Sequence, residues 1–331
     1  MKRVKTEEAI GMALGTDITN IIGGVKREVA FRARHIIQES DIPLLLSIGR
    51  HYVWILDETD ESHIHEDAAA KEIMLSSIQS NLSISEPSES RVKIFAESDG
   101  IFLVNKIGLR KLNDIDDISI ASKRHLAFVR KGTPVAIGKV MPKEISVSVM
   151  DKARKVIADY FPIFDLYTIK KHTIALFPVG NEFIEGRRTE TVSLNVAEYL
   201  RGLGQETSER EILPDNPEVI VSKTLNALSN GANLVVFIGG MGVDPDDRTV
   251  ESIKKLGADV VKYGLPIWPG QNIVVAYLNK TPILGLPSGV ALAKKNTSFH
   301  RILPIVLSDY KLSRDEILEM GEGGFIDVSD L

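Results

Sequence analysis

The chain contains no cysteine among its 331 residues. Disulfides, thiolate metal ligands and cysteine nucleophiles are therefore excluded together, and any metal or covalent chemistry must rest on oxygen or imidazole groups. Long apolar runs are also missing. The longest, such as Leu234 to Ile238 and Ile273 to Leu278, fall well short of the ~18 residues that argue a membrane span. Nor is there an excess of positive charge: 40 Lys and Arg stand against 45 Asp and Glu, a formal charge of -5. A protein that neutralises a nucleic-acid backbone needs the opposite balance. No nucleic-acid partner and no membrane are expected, although a local basic pocket is allowed. Glu7, Glu8 and Asp17 interrupt the apolar stretch that a signal peptide would need, so the protein is expected in the cytoplasm.

What is present is the composition of an ordinary globular protein, 44% hydrophobic and 26% charged. Disordered, collagenous and coiled-coil classes are excluded, and at roughly 150 residues per domain the length suggests two or three domains. Residues 1–60 read as a small β-rich module: Ala9 to Leu14, a Gly23-Gly24 turn, a brief helix opened by Pro43, and a closing strand at His51 to Leu56. Residues 61–165 read as an α+β module. An acidic patch leads into a helix over Ala68 to Ile78. Short strands with turns at Asp99-Gly100 and Lys131-Gly132 then run from Val92 to about Val149, which argues a small barrel or sandwich. From 166 to 331 strands and helices alternate, the signature of an α/β domain with a parallel sheet. Val192, Val196, Leu200 and Leu203 mark one helical face. Asp215-Asn216-Pro217 provides a cap and a first-turn proline for the next helix. Leu234 to Ile238 (LVVFI) has the unbroken apolar character of a strand covered on both faces.

In such sheets ligands bind at the carboxyl ends of strands. The loop after LVVFI is Gly239-Gly240-Met241-Gly242-Val243-Asp244-Pro245-Asp246-Asp247-Arg248-Thr249. Its glycines let the backbone approach a ligand closely and expose amide groups that can cradle a phosphate. Asp244, Asp246 and Asp247 would repel a bare phosphate, so Mg2+ between carboxylate and phosphate oxygens is expected. The plainer alternative is a turn whose aspartates cap a helix. The P-loop pattern is absent, and Pro245 occupies the place of the third glycine of a dinucleotide fingerprint. Val179-Gly180-Asn181-Glu182 forms a second strand tip, where Asn181 and Glu182 suit the edge of a heterocycle and Arg187 or Arg188 a phosphate. Gly285-Leu286-Pro287-Ser288-Gly289 forms a third, opening a helix with Lys294 and Lys295. Either lysine can equally be a solvated surface group.

The set VGNE, GGMGVDPDDRT, KYGLPIWPGQ and PILGLPSG resembles the molybdopterin-binding domain of molybdenum-cofactor biosynthesis proteins over residues 170–310. The whole chain is similar to a group described simply as molybdopterin-binding proteins. The resemblance implies a three-layer α/β/α domain with a mostly parallel sheet, preceded here by the β-rich half. It also implies molybdopterin as ligand or substrate, with Mg2+ and, in the adenylyltransferase branch, ATP; the molybdenumtransferase branch inserts molybdate into the adenylylated product. Carried over residue by residue, Asp247 matches the magnesium aspartate, Gly239, Gly240 and Gly242 the glycine turn, and Asn181 and Glu182 the asparagine-glutamate pair. Two positions depart from the branches. Met241 stands where the adenylyltransferases have threonine, and Ser288-Gly289 replaces a glycine-asparagine pair of the molybdenumtransferases.

The site that the resemblance implies is therefore Asp247, Asp246 and Asp244 as catalytic groups, Asp247 with Asp244 or Asp246 as magnesium ligands, and Gly239, Gly240, Met241, Gly242, Asn181, Glu182, Ser288, Gly289 and Lys294 holding the pterin and its phosphate. The alternative is a non-catalytic carrier or sensor that delivers the cofactor to an apo-molybdoenzyme. A homo-oligomer is expected in either case. His63, His65, Glu66 and Asp67 have the donors of a metal site or of a solvated acidic loop. Tyr263 and Trp268 could stack on a pterin or pack beneath a loop. No serine, histidine and carboxylate spacing suggests a hydrolase.

Overall fold

The computed structural model describes residues 1–22, 26–56, 62–88, 90–242, 244–292 and 297–326, and the chain divides into two compact units. The back unit contains Tyr167–Leu331 together with two short segments from earlier in the chain, Ser98–Ile101 and Leu126–Arg130. The rest forms the front unit.

The back unit is built on a six-stranded sheet. The sheet and the helices around it comprise, in chain order, β1 (Thr173–Pro178), α1 (Val192–Gly202), β2 (Glu206–Arg210), α2 (Pro217–Ser229), β3 (Leu234–Ile238), α3 (Thr249–Lys255), β4 (Asp259–Tyr263), β5 (Val274–Leu278), β6 (Thr281–Leu286), α4 (Ser288–Leu292), α5 (Ser298–Leu307) and α6 (Arg314–Glu319), with a short helical turn at Asn181–Ile184 after β1. The strand order is β2-β1-β3-β6-β5-β4. β2, β1, β3 and β6 run parallel. β5 runs antiparallel to both β6 and β4, so β4 points the same way as the four parallel strands; β5 is reversed because only the two-residue turn Asn279-Lys280 joins it to β6 and no crossover helix fits there. All five residues of β3 are buried, as its apolar run requires. Phe237 lies beside Phe177 of β1 with ring centroids 5.9 Å apart, inside a core shared with Ile220 and Ile253 from the helices.

Register places the strand ends level. Pro178 pairs with Ile238, and Ile238 with Leu286, so the residues that follow leave the sheet side by side. The third tip begins later than the sequence suggests, since Gly285 and Leu286 are still in β6.

In the front unit, the described residues up to 56 include a small core of Val4, Leu14, Ile37, Leu45, Val53 and Ile55. Lys2–Lys5 pairs antiparallel with Tyr52–Ile55, and Pro43 opens the helix Ile42–Ser47 as expected. Ala9 to Leu14 is not a strand. Gly11, at φ +81°, breaks the extended run, leaving isolated bridges at Ala13 and Leu14. Further on, Leu82–Ile84, Arg91–Ala96, Pro134–Val140 and Ile118–Ser122 form an antiparallel sheet in that order. The helix Glu66–Ser76 covers it, and Met74 fits where Gly138 has no Cβ.

Two helices interrupt the stretch read as β. Lys106–Asn113 is capped by Asn105, whose side chain accepts from the Gly108 N–H at 3.0 Å. Val147–Tyr160 is capped by Ser146. Its opening VSV alternates like a strand, but Met150, Ala153 and Ile157 recur at helical spacing and are buried together. Among the described residues no helix is long and apolar enough to cross a membrane.

Candidate functional site

Three strand tips of the back unit meet at Gly239. Its N–H donates to the Leu286 carbonyl at 2.8 Å, and the Val179 N–H donates to the Ile238 carbonyl at 2.8 Å. A Cβ added to Gly239 would lie 2.5 Å from the Val179 carbonyl oxygen and 3.6 Å from Ser288 Oγ. Gly239 and Gly240 have φ of +100° and +65°, a backbone that glycine adopts without strain. The loop is then fastened from below. Thr249, fully buried at the start of α3, donates to the Gly239 carbonyl at 3.0 Å. The Met241 side chain is buried in the core against Gly285, where a Cβ would come within 2.5 Å of its Cε. The Tyr263 hydroxyl donates to the Met241 carbonyl at 2.9 Å. Met241 is thus an anchor whose side chain is turned into the core, and Tyr263 holds its backbone carbonyl.

The carboxylates are arranged around this turn. Asp247 Oδ2 accepts from the Asp244 N–H at 3.3 Å, and the Asp247 N–H donates to the Asp244 carbonyl at 2.9 Å. Asp244 and Asp246 are exposed, whereas Asp247 is half-buried. Asn181 and Glu182 stand at the tip of β1 in a short helical turn. Ser288 opens α4 and Gly289 has open space around it. Lys294 and Lys295 lie outside the described residues. Arg187 pairs with Glu185. Trp268 is half exposed and its backbone bridges Phe325.

The residue that sequence reasoning missed is Asp215. Asn216, not Asp215, caps α2, its Oδ1 accepting from the N–H groups of Glu218 and Val219 at 3.0 and 3.1 Å. Asp215 is thereby released to face Asn181 in a reciprocal pair. The Asn181 N–H donates to Asp215 Oδ2 at 2.8 Å, and the Asp215 N–H donates to Asn181 Oδ1 at 3.1 Å. Burial pushes the Asp215 carboxyl above the usual aspartate range. The negative charges of Glu182, Asp247 and Asp246 push it the same way, against the Asn181 hydrogen bond. These four carboxyl groups therefore belong to one electrostatic neighbourhood. The signal was in the sequence: two cap-forming residues precede Pro217, and a helix uses one.

Among the described residues no three His, Asp or Glu groups are gathered closely enough to hold a metal ion alone. That fits magnesium only in its usual mode, one or two carboxylates completed by substrate phosphates and water. The cluster at 63–67 is built into the fold instead. His65 caps the helix Glu66–Ser76, buried Glu66 accepts from Lys143 Nζ at 2.7 Å, and Asp67 accepts from the Ser90 N–H at 2.9 Å.

Residues 175–307 match the family described as "Probable molybdopterin binding domain", and this part of the chain belongs to that domain family. Residues 3–57 match a domain of unknown function. A CinA-like protein of Leptospira interrogans is 37% identical over 87 residues, 25% of this chain and 21% of that protein. A CinA-like protein of Fervidobacterium nodosum is 30% identical over 108 residues, 32% of this chain and 26% of that protein. The chain thus matches only about a quarter of the length of these curated relatives. Among solved structures, the molybdopterin biosynthesis enzyme MoaB of Thermus thermophilus is 26% identical, with a TM-score of 0.36, covering 43% of this chain and 98% of that one. The molybdopterin biosynthesis MoeA protein of Pyrococcus horikoshii is 13% identical with a TM-score of 0.34, covering 93% of this chain and 75% of that one.

Proposed function

We propose that the strand-tip site of the back unit binds molybdopterin and performs a magnesium-assisted transfer on it in molybdenum-cofactor biosynthesis, either adenylylation with ATP or insertion of molybdenum, in the cytoplasm. The observation that carries the reading is the convergence of Val179, Gly239 and Ser288 beside Asp215 and Asp247. The backbone amides that follow Gly239, over residues 240–242, receive the phosphate, and Asn181 with Glu182 orients the heterocycle. Asp247 and Asp215 present carboxylate oxygens to magnesium, which when bound neutralises charge on the phosphoryl group. A cation there also relieves the repulsion that raises the Asp215 pKa. Catalysis is then positioning and electrostatic stabilisation, with no covalent enzyme intermediate.

The test is turnover of molybdopterin with ATP and magnesium, and of adenylylated molybdopterin with molybdate. Asp247→Ala and Asp215→Ala are each expected to lower the rate by at least about a hundredfold while leaving the fold intact. If the unaltered protein turns over neither substrate yet binds molybdopterin tightly without ATP, the enzyme reading fails and a carrier or sensor takes its place.

A further inference from the structure

A second set of ligand-type groups lies wholly within the front unit. Lys2–Lys5 and Tyr52–Ile55 pair with Val4 opposite Val53 and Arg3 opposite Trp54. Val4, Val53 and Ile55 point into the small core. Arg3, Tyr52 and Trp54 therefore share the outer face. The Arg3 guanidinium covers the Tyr52 ring at 3.8 Å from its centroid. Trp54 is 40% exposed, and among the described residues no ring or cation covers it.

Trp54 and Tyr52 line a cavity of about 340 Å³, with Arg50, Lys139, Lys143 and Asp17 among its other walls. That volume lies in the range of small-ligand sites, about 300–1,000 Å³. Lys143 is committed to Glu66 at 2.7 Å, and Asp17 Oδ1 accepts from the Ala33 N–H at 2.6 Å. Arg50 and Lys139 have no ion-pair partner among the described residues. Two surface cations alone would be unremarkable solvated groups. Here they converge on a concave space where the one carboxylate among the described lining residues is already partly used, and an open indole faces the same space. Cations in a concavity favour an anion, and an uncovered indole favours a flat ring.

We propose that this cavity binds a phosphomonoester carrying a planar heterocycle, of the nucleotide type. The ring stacks on Trp54, and the phosphate sits between Arg50 and Lys139. The second oxygen of Asp17 accepts from a ring amino or sugar hydroxyl group. The site is independent of the strand-tip site in the back unit.

The test exploits the tryptophan count, which is two. In full-length protein carrying Trp268→Phe, Trp54 is the sole tryptophan and its emission reports this cavity alone. Adenosine or guanosine monophosphate is expected to quench it saturably. The nucleoside and inorganic phosphate, each alone, should bind at least about tenfold more weakly. Arg50→Ala and Lys139→Ala should each weaken binding about tenfold or more, the effect of losing a charged hydrogen-bond partner, with an unchanged unfolding midpoint. A phosphorylated pterin in the same titration identifies the ring: tighter binding than the nucleotides assigns the same phosphate chemistry to a pterin. The proposal is overturned if no phosphorylated ring quenches Trp54, if both substitutions leave the quench unchanged, or if the nucleoside binds as well as its phosphate.

Discussion

β3 in the back unit is buried along its whole length, while Tyr52–Ile55 in the front unit buries every second side chain and exposes the others. The two strands therefore offer ligands different things. A strand covered on both faces has no side chain to spare, and its chemistry can only begin where the chain leaves the sheet, at Gly239. A strand in a two-stranded antiparallel ribbon carries its chemistry on its outer face, where Tyr52 and Trp54 stand. Stability and ligand contact are separated along the chain in one unit and across the strand in the other.

Substitutions can break this comparison. With one tryptophan in each unit, Trp54 and Trp268, single-tryptophan variants follow the two unfolding transitions separately. Phe237→Ala should have the largest effect, a loss of about 3–5 kcal/mol in urea unfolding seen by Trp268 and not by Trp54. Gly239→Ala forces a side chain onto a left-handed residue and toward the Val179 carbonyl. It should cost about 1–3 kcal/mol and, in calorimetry, remove pterin binding.

Asp215→Asn should act in the opposite direction. The folded pKa of Asp215 is raised above 3.8 by burial and by the adjoining carboxylates. The folded state therefore holds this proton more tightly than the unfolded state. Stability is gained as pH falls through the folded value, and the destabilisation is fully present above it. Removing the charge should stabilise the back unit at neutral pH by about 0.5–2 kcal/mol while lowering turnover, and thermal unfolding against pH should show that gain fading at acid pH. The smallest effect belongs to the outer face: Trp54→Ala should change stability by no more than about 0.5 kcal/mol and yet abolish nucleotide binding. A large loss of front-unit stability in that variant would mean that the strand face is structural after all.

Much of the back unit was legible because its residues obey one periodicity at a time. LVVFI admits a doubly covered strand and little else, and the glycines after it announce a turn. Asp215 was hidden because its role depends on which of two adjacent residues caps α2. That choice is settled by contact with Asn181, which is distant in the sequence. Met241 read as a ligand contact because only packing against Gly285 shows its side chain pointing inward. In the front unit, VSVM alternates in sequence but coils in space, the Ser146 cap and the buried Met150, Ala153 and Ile157 outweighing local β preference. The Trp54 cavity could not be read at all, since Arg50, Trp54 and Lys139 come together only through the fold.

The back unit is not one continuous stretch of chain. Asp99 and Arg130 pair at 2.5 Å within it, and the Ile169 N–H donates to the Asp99 carbonyl at 3.2 Å. Both borrowed segments leave the ribosome before the first strand of the unit's six-stranded sheet. Synthesis must hold them in waiting until the rest of the unit emerges, and a gene cut at the apparent boundary would yield a domain deprived of pieces already encoded upstream.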